Sequence, residues 1–173
     1  AYRELISESS SGEGTVDRLI GDEAVQAKVA LEIAPTADGE EPSVSFAPDC
    51  ALEEGWRDGV VRALRKETEA GPRFGFRLEN VAVRVLSADL EGEQGEAGSA
   101  LAAVLALREA LSGASVVVQE PLMRFRIEIP GEFSSGVIAD LNVRAAEVDS
   151  VQAEGKITLI GGSVPLFSMF GYS

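Results

Sequence analysis

Acidic side chains are concentrated in one short stretch, DLEGEQGEAGS (residues 89–99), which contains Asp89, Glu91, Glu93 and Glu96. Carboxylates at this spacing can ligate a divalent cation through oxygen, and paired carboxylates also serve in acid–base catalysis. Acid–base catalysis needs a shaped pocket that shifts pKa values, whereas a stretch rich in glycine and polar residues predicts a solvated loop. We therefore interpret the stretch as an acidic loop, keep cation binding as the alternative, and assign no catalytic or metal-binding residue.

Residue types that perform nucleophilic or zinc chemistry are almost missing. The sequence has no histidine and one cysteine, Cys50, so it supplies neither a Ser–His–Asp triad nor a Cys/His zinc cluster. We interpret Cys50 as a small, half-buried residue beside a helix start, and a lone cysteine fits a reducing compartment. No GxxxxGK[ST] motif occurs, so we expect no nucleotide or other cofactor in this chain.

The net charge of −14 is unevenly distributed along the 173 residues. Residues 1–120 carry −12 and residues 121–173 carry −2. Strong negative charge repels phosphate and predicts poor unaided affinity for nucleic acid, although it also serves solubility. Arg124 and Arg126 share one face of a predicted strand and are the candidate RNA contacts. We favour, however, their pairing with Glu128 or with acids on a neighbouring strand.

Alternation and helical spacing predict the elements of the first part. Residues 2–6 predict an edge strand, residues 7–24 a loop, and residues 27–33 a half-buried strand. Further strands are predicted around residues 44–46, 81–85 and 115–119. A helix is predicted after Asp49, which we expect to cap it. The apolar stripe of this helix includes Trp56, which we therefore interpret as a core residue rather than a base-stacking platform.

A second predicted helix, ALAAVLALREAL (100–111), is apolar enough to be buried on most sides. From residue 121 onward the pattern predicts strand, helix, strand and strand, in the order of a split βαβ sandwich of ferredoxin type. The final stretch, SVPLFSMFGYS (163–173), predicts the start of a further helix. We expect this helix to be cut off at residue 173 and its side chains Phe167, Met169 and Phe170 to be partly exposed.

Several segments resemble elongation factor G, a translational GTPase. The segments EPLMRFRIEIPGEFSSGVIADLN (120–142) and VPLFSMFGYS (164–173) resemble the start and middle of the last domain of that family. The segment AYRE (1–4) resembles the opening of the preceding domain, and SALAAVLALREAL followed by SVVVQEPLM resembles its final helix and exit strand. The resemblance covers nearly the whole chain and is strongest from Ala100 onward.

The resemblance implies an α+β fold with two domains. Residues 1–120 would form domain IV, similar to the second domain of ribosomal protein S5, and residues 121–173 most of a ferredoxin-like domain V. It also implies a C-terminal fragment of a cytoplasmic, ribosome-associated factor in protein biosynthesis, with GTP and Mg²⁺ bound by a GTPase domain in cis outside this chain. Domain IV would act as an arm that reaches the tRNA–mRNA pair, and domain V as an anchor toward ribosomal RNA. No membrane partner is expected.

Two segments depart from the family pattern and indicate a divergent paralogue. DRLIGDEAVQ (17–26) stands where the family has a glycine-rich loop, and DLEGEQGE (89–96) stands where it has a histidine-bearing loop. The resemblance places Asp89, Glu91, Glu93, Gln94 and Glu96 at the tip of the arm, as candidate tip-loop contacts. The alternative function is an acidic protein-interaction module that has lost translocation activity.

Overall fold

The computed structural model describes residues 1–91 and 95–171, and they divide into two compact units, one over Tyr2–Gln119 and one that begins at Glu120. We call them the first unit and the second unit. The strands are β1 (Arg3–Ile6), β2 (Ser10–Ile20), β3 (Glu23–Pro35), β4 (Ser43–Phe46), β5 (Arg77–Glu79), β6 (Val81–Glu91), β7 (Val116–Gln119), β8 (Leu122–Pro130), β9 (Glu147–Glu154) and β10 (Ile157–Pro165). The helices are α1 (Glu54–Thr68), α2 (Gly95–Gly113) and α3 (Ser134–Val143). The predicted α+β fold class is confirmed.

The first unit contains two sheets and two helices. The larger sheet has the order β2-β3-β6-β4, in which only the β4–β6 pair is parallel, and the smaller sheet has the order β5-β1-β7. Alternate residues of β3 and β6 point into the core, including Val29, Leu31, Ile33 and Val83, which are 0–1% exposed. Both helices contribute to the same core, so this sheet is covered by α1 and α2.

Small residues bring α2 unusually close to β2. The buried residues of α2 include Ala102, Ala106 and Ala110, and the buried face of β2 includes Gly12 and Gly14. A Cβ atom added to Gly14 would overlap the carbonyl oxygen of Ala102, and one added to Gly12 would overlap that of Ala106. The helix backbone therefore lies directly on the strand backbone.

The predicted loop over residues 7–24 is wrong, because residues 10–20 form β2 and pair with β3 in an antiparallel hairpin. The burial of residues 11–16 alternates with period two, as it does in any half-buried strand. Two of the three inward positions are Gly12 and Gly14. Because glycine has no apolar side chain, the sequence of this strand does not show the alternation of apolar and polar residues that predicts a strand. The hairpin turns at Gly21, whose φ of +65° favours glycine.

The first strand is the centre of the smaller sheet rather than the predicted edge strand. Its Glu4 is fully buried, and its carboxylate accepts backbone N–H groups of Arg73 (2.9 Å), Phe74 (2.8 Å) and Phe76 (3.2 Å). Three charge-assisted hydrogen bonds satisfy both the buried carboxylate and the donors of the loop that follows α1. Glu4 thus fixes the loop over residues 71–76, whose Phe74 side chain is 61% exposed.

The helix predicted after Asp49 begins at Glu54, and Glu53 occupies the N-cap position without a side-chain hydrogen bond. The expected cap by Asp49 is therefore wrong. The intervening segment is held instead by Arg57, which donates to the carbonyls of Cys50 (3.2 Å) and Leu52 (3.1 Å). Cys50 is 5% exposed, so it is buried rather than half-buried.

An ion pair joins the two helices. Arg108 of α2 donates to both carboxylate oxygens of Glu67 in α1, at 2.5 and 3.2 Å. This hydrogen bonding, and then the negative charge of Glu67, raises the pKa of Arg108 above its ordinary value. The pair therefore links α1 and α2 through two charge-assisted hydrogen bonds.

The second unit consists of a three-stranded antiparallel sheet in the order β8-β10-β9 together with α3. Leu141 of α3 and the alternating residues Ile160 and Val164 of β10 are fully buried and form its core. Arg144, at the end of α3, donates to the Asp140 carboxylate (2.9 Å) and to the Ser168 carbonyl (2.7 Å). The sequence order predicted for residues 121–165 is therefore observed.

The end of the described chain forms one 3₁₀ turn over Leu166–Met169, where the sequence predicts the start of a helix. Phe167 is 72% and Phe170 is 69% exposed, and Met169 is partly exposed. The two phenyl rings meet edge to face with centroids 6.2 Å apart. The exposure expected of these three side chains is thus confirmed.

We predict that Gly14→Ala lowers the free energy of unfolding by about 3 kcal/mol, because the added methyl group would force α2 away from β2. Gly55→Ala is the control, since nothing lies within 4 Å of a Cβ atom there and the site is helical. That control is expected to stabilise the protein by about 0.5 kcal/mol. Urea denaturation measures both values. Equal stabilities for the two variants would contradict the close packing.

We also predict that Glu4→Gln destabilises the protein by about 2 kcal/mol, because an amide NH₂ would face buried N–H donors and the charge-assisted hydrogen bonds would weaken. Glu40→Gln is the matched control, since Glu40 is exposed. Its effect should stay within about 0.5 kcal/mol. Thermal unfolding distinguishes the two, and an equally mild effect of both substitutions would disprove the role given to Glu4.

Candidate functional site

The acidic stretch begins in a strand and ends in a helix, where the sequence predicts a loop. Asp89 and Glu91 are among the last residues of β6, and Glu96 lies in the first turn of α2. The predicted loop over residues 89–99 is therefore wrong at both ends. The glycines and acids of this stretch are typical of a loop, so the sequence does not indicate where α2 begins. Gly95 and Gly98 belong to α2, where they pack closely against Trp56 and Val25.

The candidate residues share one end of the larger sheet. Asp89 pairs in register with Lys28, and Glu91 pairs with Gln26. β3 begins three residues before Gln26, so the β2–β3 hairpin extends past the end of β6. We call this end of the sheet, with the hairpin turn and the first turn of α2, the acidic end. Glu93 and Gln94 lie outside the described residues.

The carboxylates of the acidic end differ in their partners. Asp89 and Glu91 are both exposed and line a shallow depression on the sheet, together with residues of the neighbouring strands: Thr15, Asp17, Gln26 and Lys28. The Lys28 ammonium lies 3.3 Å from Glu13, farther along the hairpin. Glu96 lies 4.0 Å from Arg62 of α1, and its charge also suits the N-terminal end of α2. The depression is thus bordered by three acids and one lysine.

Within residues 1–91 and 95–171, no three carboxylates or cysteines come together as a metal site would require. The exposed carboxylates of Asp89 and Glu91 instead face solvent from an open sheet surface. This arrangement offers a flat electrostatic surface, and it lacks the enclosed pocket that acid–base catalysis uses.

Trp56 closes the side of the acidic end that faces the helices. It is partly buried against the core of the first unit, as the sequence predicts. A Cβ atom added to Gly95 would come within 2.5 Å of its ring, so the indole rests on the first residue of α2. The indole therefore packs against the start of α2.

The candidate RNA contacts of the second unit lie on β8. Arg124 reaches Asp149 of β9 at 3.8 Å, with 88% and 57% of the two side chains exposed, so this is a weak surface pair. Arg126 is exposed and pairs in register with Gly161 of β10. Both arginines border a depression whose floor includes Gly161 and whose opposite side includes Ser150 and Gln152.

Sequence reasoning missed the neighbours that complete the acidic end. Gln26 and Lys28 occupy outward positions of β3, and their alternation with Val25 and Ala27 was the available signal. Asp17 was hidden because its strand was interpreted as a loop. Glu4 gave no signal, since a charged residue in a short strand predicts exposure rather than burial.

Comparisons with known proteins point to one family. Residues 117–173 match a family model described as the C-terminus of elongation factor G. Elongation factor G of Thermotoga maritima is 30% identical over 177 aligned positions, and elongation factor G 2 of Desulfotalea psychrophila is 33% identical over 179. Both alignments cover the whole of this chain but only 26% and 25% of the relatives, so the chain spans about a quarter of their length.

The fold also matches a solved structure. A crystal structure of a protein from Thermus thermophilus superposes on 99% of the chain with a TM-score of 0.80 and 20% identity, and the chain covers 26% of it. At that identity the match shows the fold alone. The resemblance to elongation factor G that the sequence predicts is confirmed by the family model and the curated relatives.

We predict that Gly95→Ala displaces the Trp56 ring, because the new methyl group would lie against a rigid indole. Trp56 is the only tryptophan, so its fluorescence reports on the acidic end directly. Its emission should shift to the red as the ring gains exposure. Gly136→Ala in α3, where nothing lies within 4 Å, should leave the spectrum unchanged. An unchanged spectrum in Gly95→Ala would refute the contact.

Proposed function

We propose that this chain, which resembles the C-terminal quarter of elongation factor G, supplies the arm and anchor domains of a ribosome-associated translation factor. The observation that carries the proposal is the similarity of the entire chain to curated elongation factor G proteins at about 30% identity. The first unit would correspond to domain IV and the second to domain V. GTP and Mg²⁺ would bind a GTPase domain outside this sequence, and the protein would act in the cytoplasm during GTP-dependent translocation.

The architecture of the first unit suits a mechanical role. Its largest sheet has two strands of 11 residues and one of 13, and α2 runs 19 residues along it. The close approach of α2 to β2 leaves no space in which these elements can slide. A unit built in this way would transmit force along its strands and present the acidic end to the tRNA–mRNA pair.

The exposed Asp89 and Glu91 favour a second candidate function. Carboxylates near phosphates are repulsive unless a cation or a basic protein lies between them. An acidic protein-interaction module, without translocation activity, would use the same carboxylates to bind a basic partner. The two candidates therefore assign opposite effects to these two charges.

Cosedimentation with purified bacterial 70S ribosomes tests the proposal. The full-length protein, which would include the GTPase domain as well as this chain, should pellet with ribosomes in about 50 mM salt in the presence of a non-hydrolysable GTP analogue, and it should be released as salt rises. Asp89→Asn/Glu91→Gln should strengthen this binding, because two repulsive charges near RNA are removed. Glu40→Gln/Glu132→Gln is the matched control.

Weaker binding of the Asp89→Asn/Glu91→Gln variant would favour the interaction module, in which the carboxylates attract a basic partner. Absence of the wild-type protein from the ribosome pellet at every salt concentration would overturn the ribosomal proposal itself.

A further inference from the structure

Positive charge in the first unit is concentrated in and just after α1. Residues 57–77 contain six basic and three acidic residues, a local charge of +3 in a chain of −14. Three of the six lie in the C-terminal half of the helix: Arg62, Arg65 and Lys66. Because the surrounding chain is so acidic, a cluster of cations on one element is an asymmetry that solubility does not require.

The helical geometry of α1 leaves these three side chains exposed to solvent. α1 turns Val60, Leu64 and Thr68 toward the core, where all three are buried. Arg62, Arg65 and Lys66 are exposed and follow one another within about 6 Å along the helix axis. We call these three residues the α1 ridge.

Several other cations of the first unit lie closer to a carboxylate than the residues of the α1 ridge do. Arg3 lies 2.7 Å from Glu79, Arg77 lies 3.2 Å from Glu41, and Arg108 is held by both oxygens of Glu67. In the α1 ridge, Arg62 approaches Glu96 only to 4.0 Å. No carboxylate in residues 1–91 or 95–171 lies within 4.0 Å of Arg65 or Lys66.

The helix dipole explains part of this placement. Cations in the last turn of a helix stabilise it by about 0.3–1 kcal/mol each, which applies to Arg65 and Lys66. Arg62 lies earlier in α1 and gains less from the dipole. A cluster of exposed cations with weak internal pairing also matches what a phosphate backbone attracts, because each contact releases condensed counterions.

We propose that the α1 ridge is an RNA-binding surface that contacts the phosphate backbone. This inference deepens the proposed ribosomal function and rests on it for the identity of the RNA. It assigns RNA contact to a helix face of the first unit, in addition to Arg124 and Arg126 of the second. The acidic end and the α1 ridge would then have opposite electrostatic roles, the first repelled by phosphate and the second attracted to it.

The test uses Arg65→Gln/Lys66→Gln, which removes two charges and keeps good helix formers. We expect about tenfold weaker binding to 70S ribosomes at about 100 mM salt, and a plot of log K against log [salt] whose slope falls by about 2. Arg84→Gln/Lys156→Gln removes the same charge from exposed positions outside both the acidic end and the α1 ridge, and it should alter neither quantity by more than about twofold. A purely structural role would lower the melting temperature and leave the salt slope unchanged.

Two further measurements separate the possible failures. Fluorescence anisotropy with labelled single-stranded RNA, in the absence of ribosomes, tests the α1 ridge alone. If RNA binding depends on the α1 ridge but ribosomes do not retain the protein, the proposed function fails, whereas the RNA-binding role of the α1 ridge is supported. If ribosome binding is intact and both double variants behave alike, the ridge is overturned. Polyglutamate can also be added as a competitor of the labelled RNA. If polyglutamate competes as strongly as unlabelled RNA of equal charge, the partner of the α1 ridge is an acidic protein, and the RNA-binding proposal is overturned.

Discussion

The backbone of α2 rests on the backbone of β2, and most features of the first unit depend on that contact. Glycine on the strand and alanine on the helix remove the side-chain layer that normally separates a helix from a sheet. The loss of large apolar side chains at this contact is offset by dispersion between closely packed backbones. It also explains why α2 has an almost uniformly apolar sequence, since its other faces meet β3, β6 and α1.

In the smaller sheet, the buried carboxylate of Glu4 holds the loop that follows α1 against the strand. The loop over residues 71–76 cannot pair its N–H groups with a strand, and burial away from water would leave them unsatisfied. Glu4 supplies both oxygens to three of these groups. Gly71 allows the approach, because a Cβ atom there would lie 2.5 Å from that carboxylate. A charged residue in β1 is thus compatible with the core because the loop surrounds it with donors.

Much of the fold was predictable from the sequence, and the two segments wrongly predicted as loops share one physical origin. Strands with large alternating side chains, such as β3, β6 and β8, follow the predicted pattern because burial of those side chains determines their register. β2 was missed because Gly12 and Gly14 replace the apolar residues on its inward face. The boundaries of the acidic stretch were missed for the same reason, since Gly95 and Gly98 are packing residues of α2 rather than loop residues.

The candidate site was harder to predict than the fold, because long-range pairing rather than local pattern creates it. Asp89 and Glu91 were identified as acidic, but their proximity to Asp17, Gln26 and Lys28 follows only from the β2-β3-β6 order. The fold also separates the acidic residues of the first unit from its basic residues. The sheet order collects acids at one end, while the amphipathic spacing of α1 turns its cations outward on a different element. The net charge alone therefore does not predict how this protein would bind RNA, because a chain with a net charge of −14 still has a positively charged local surface on α1.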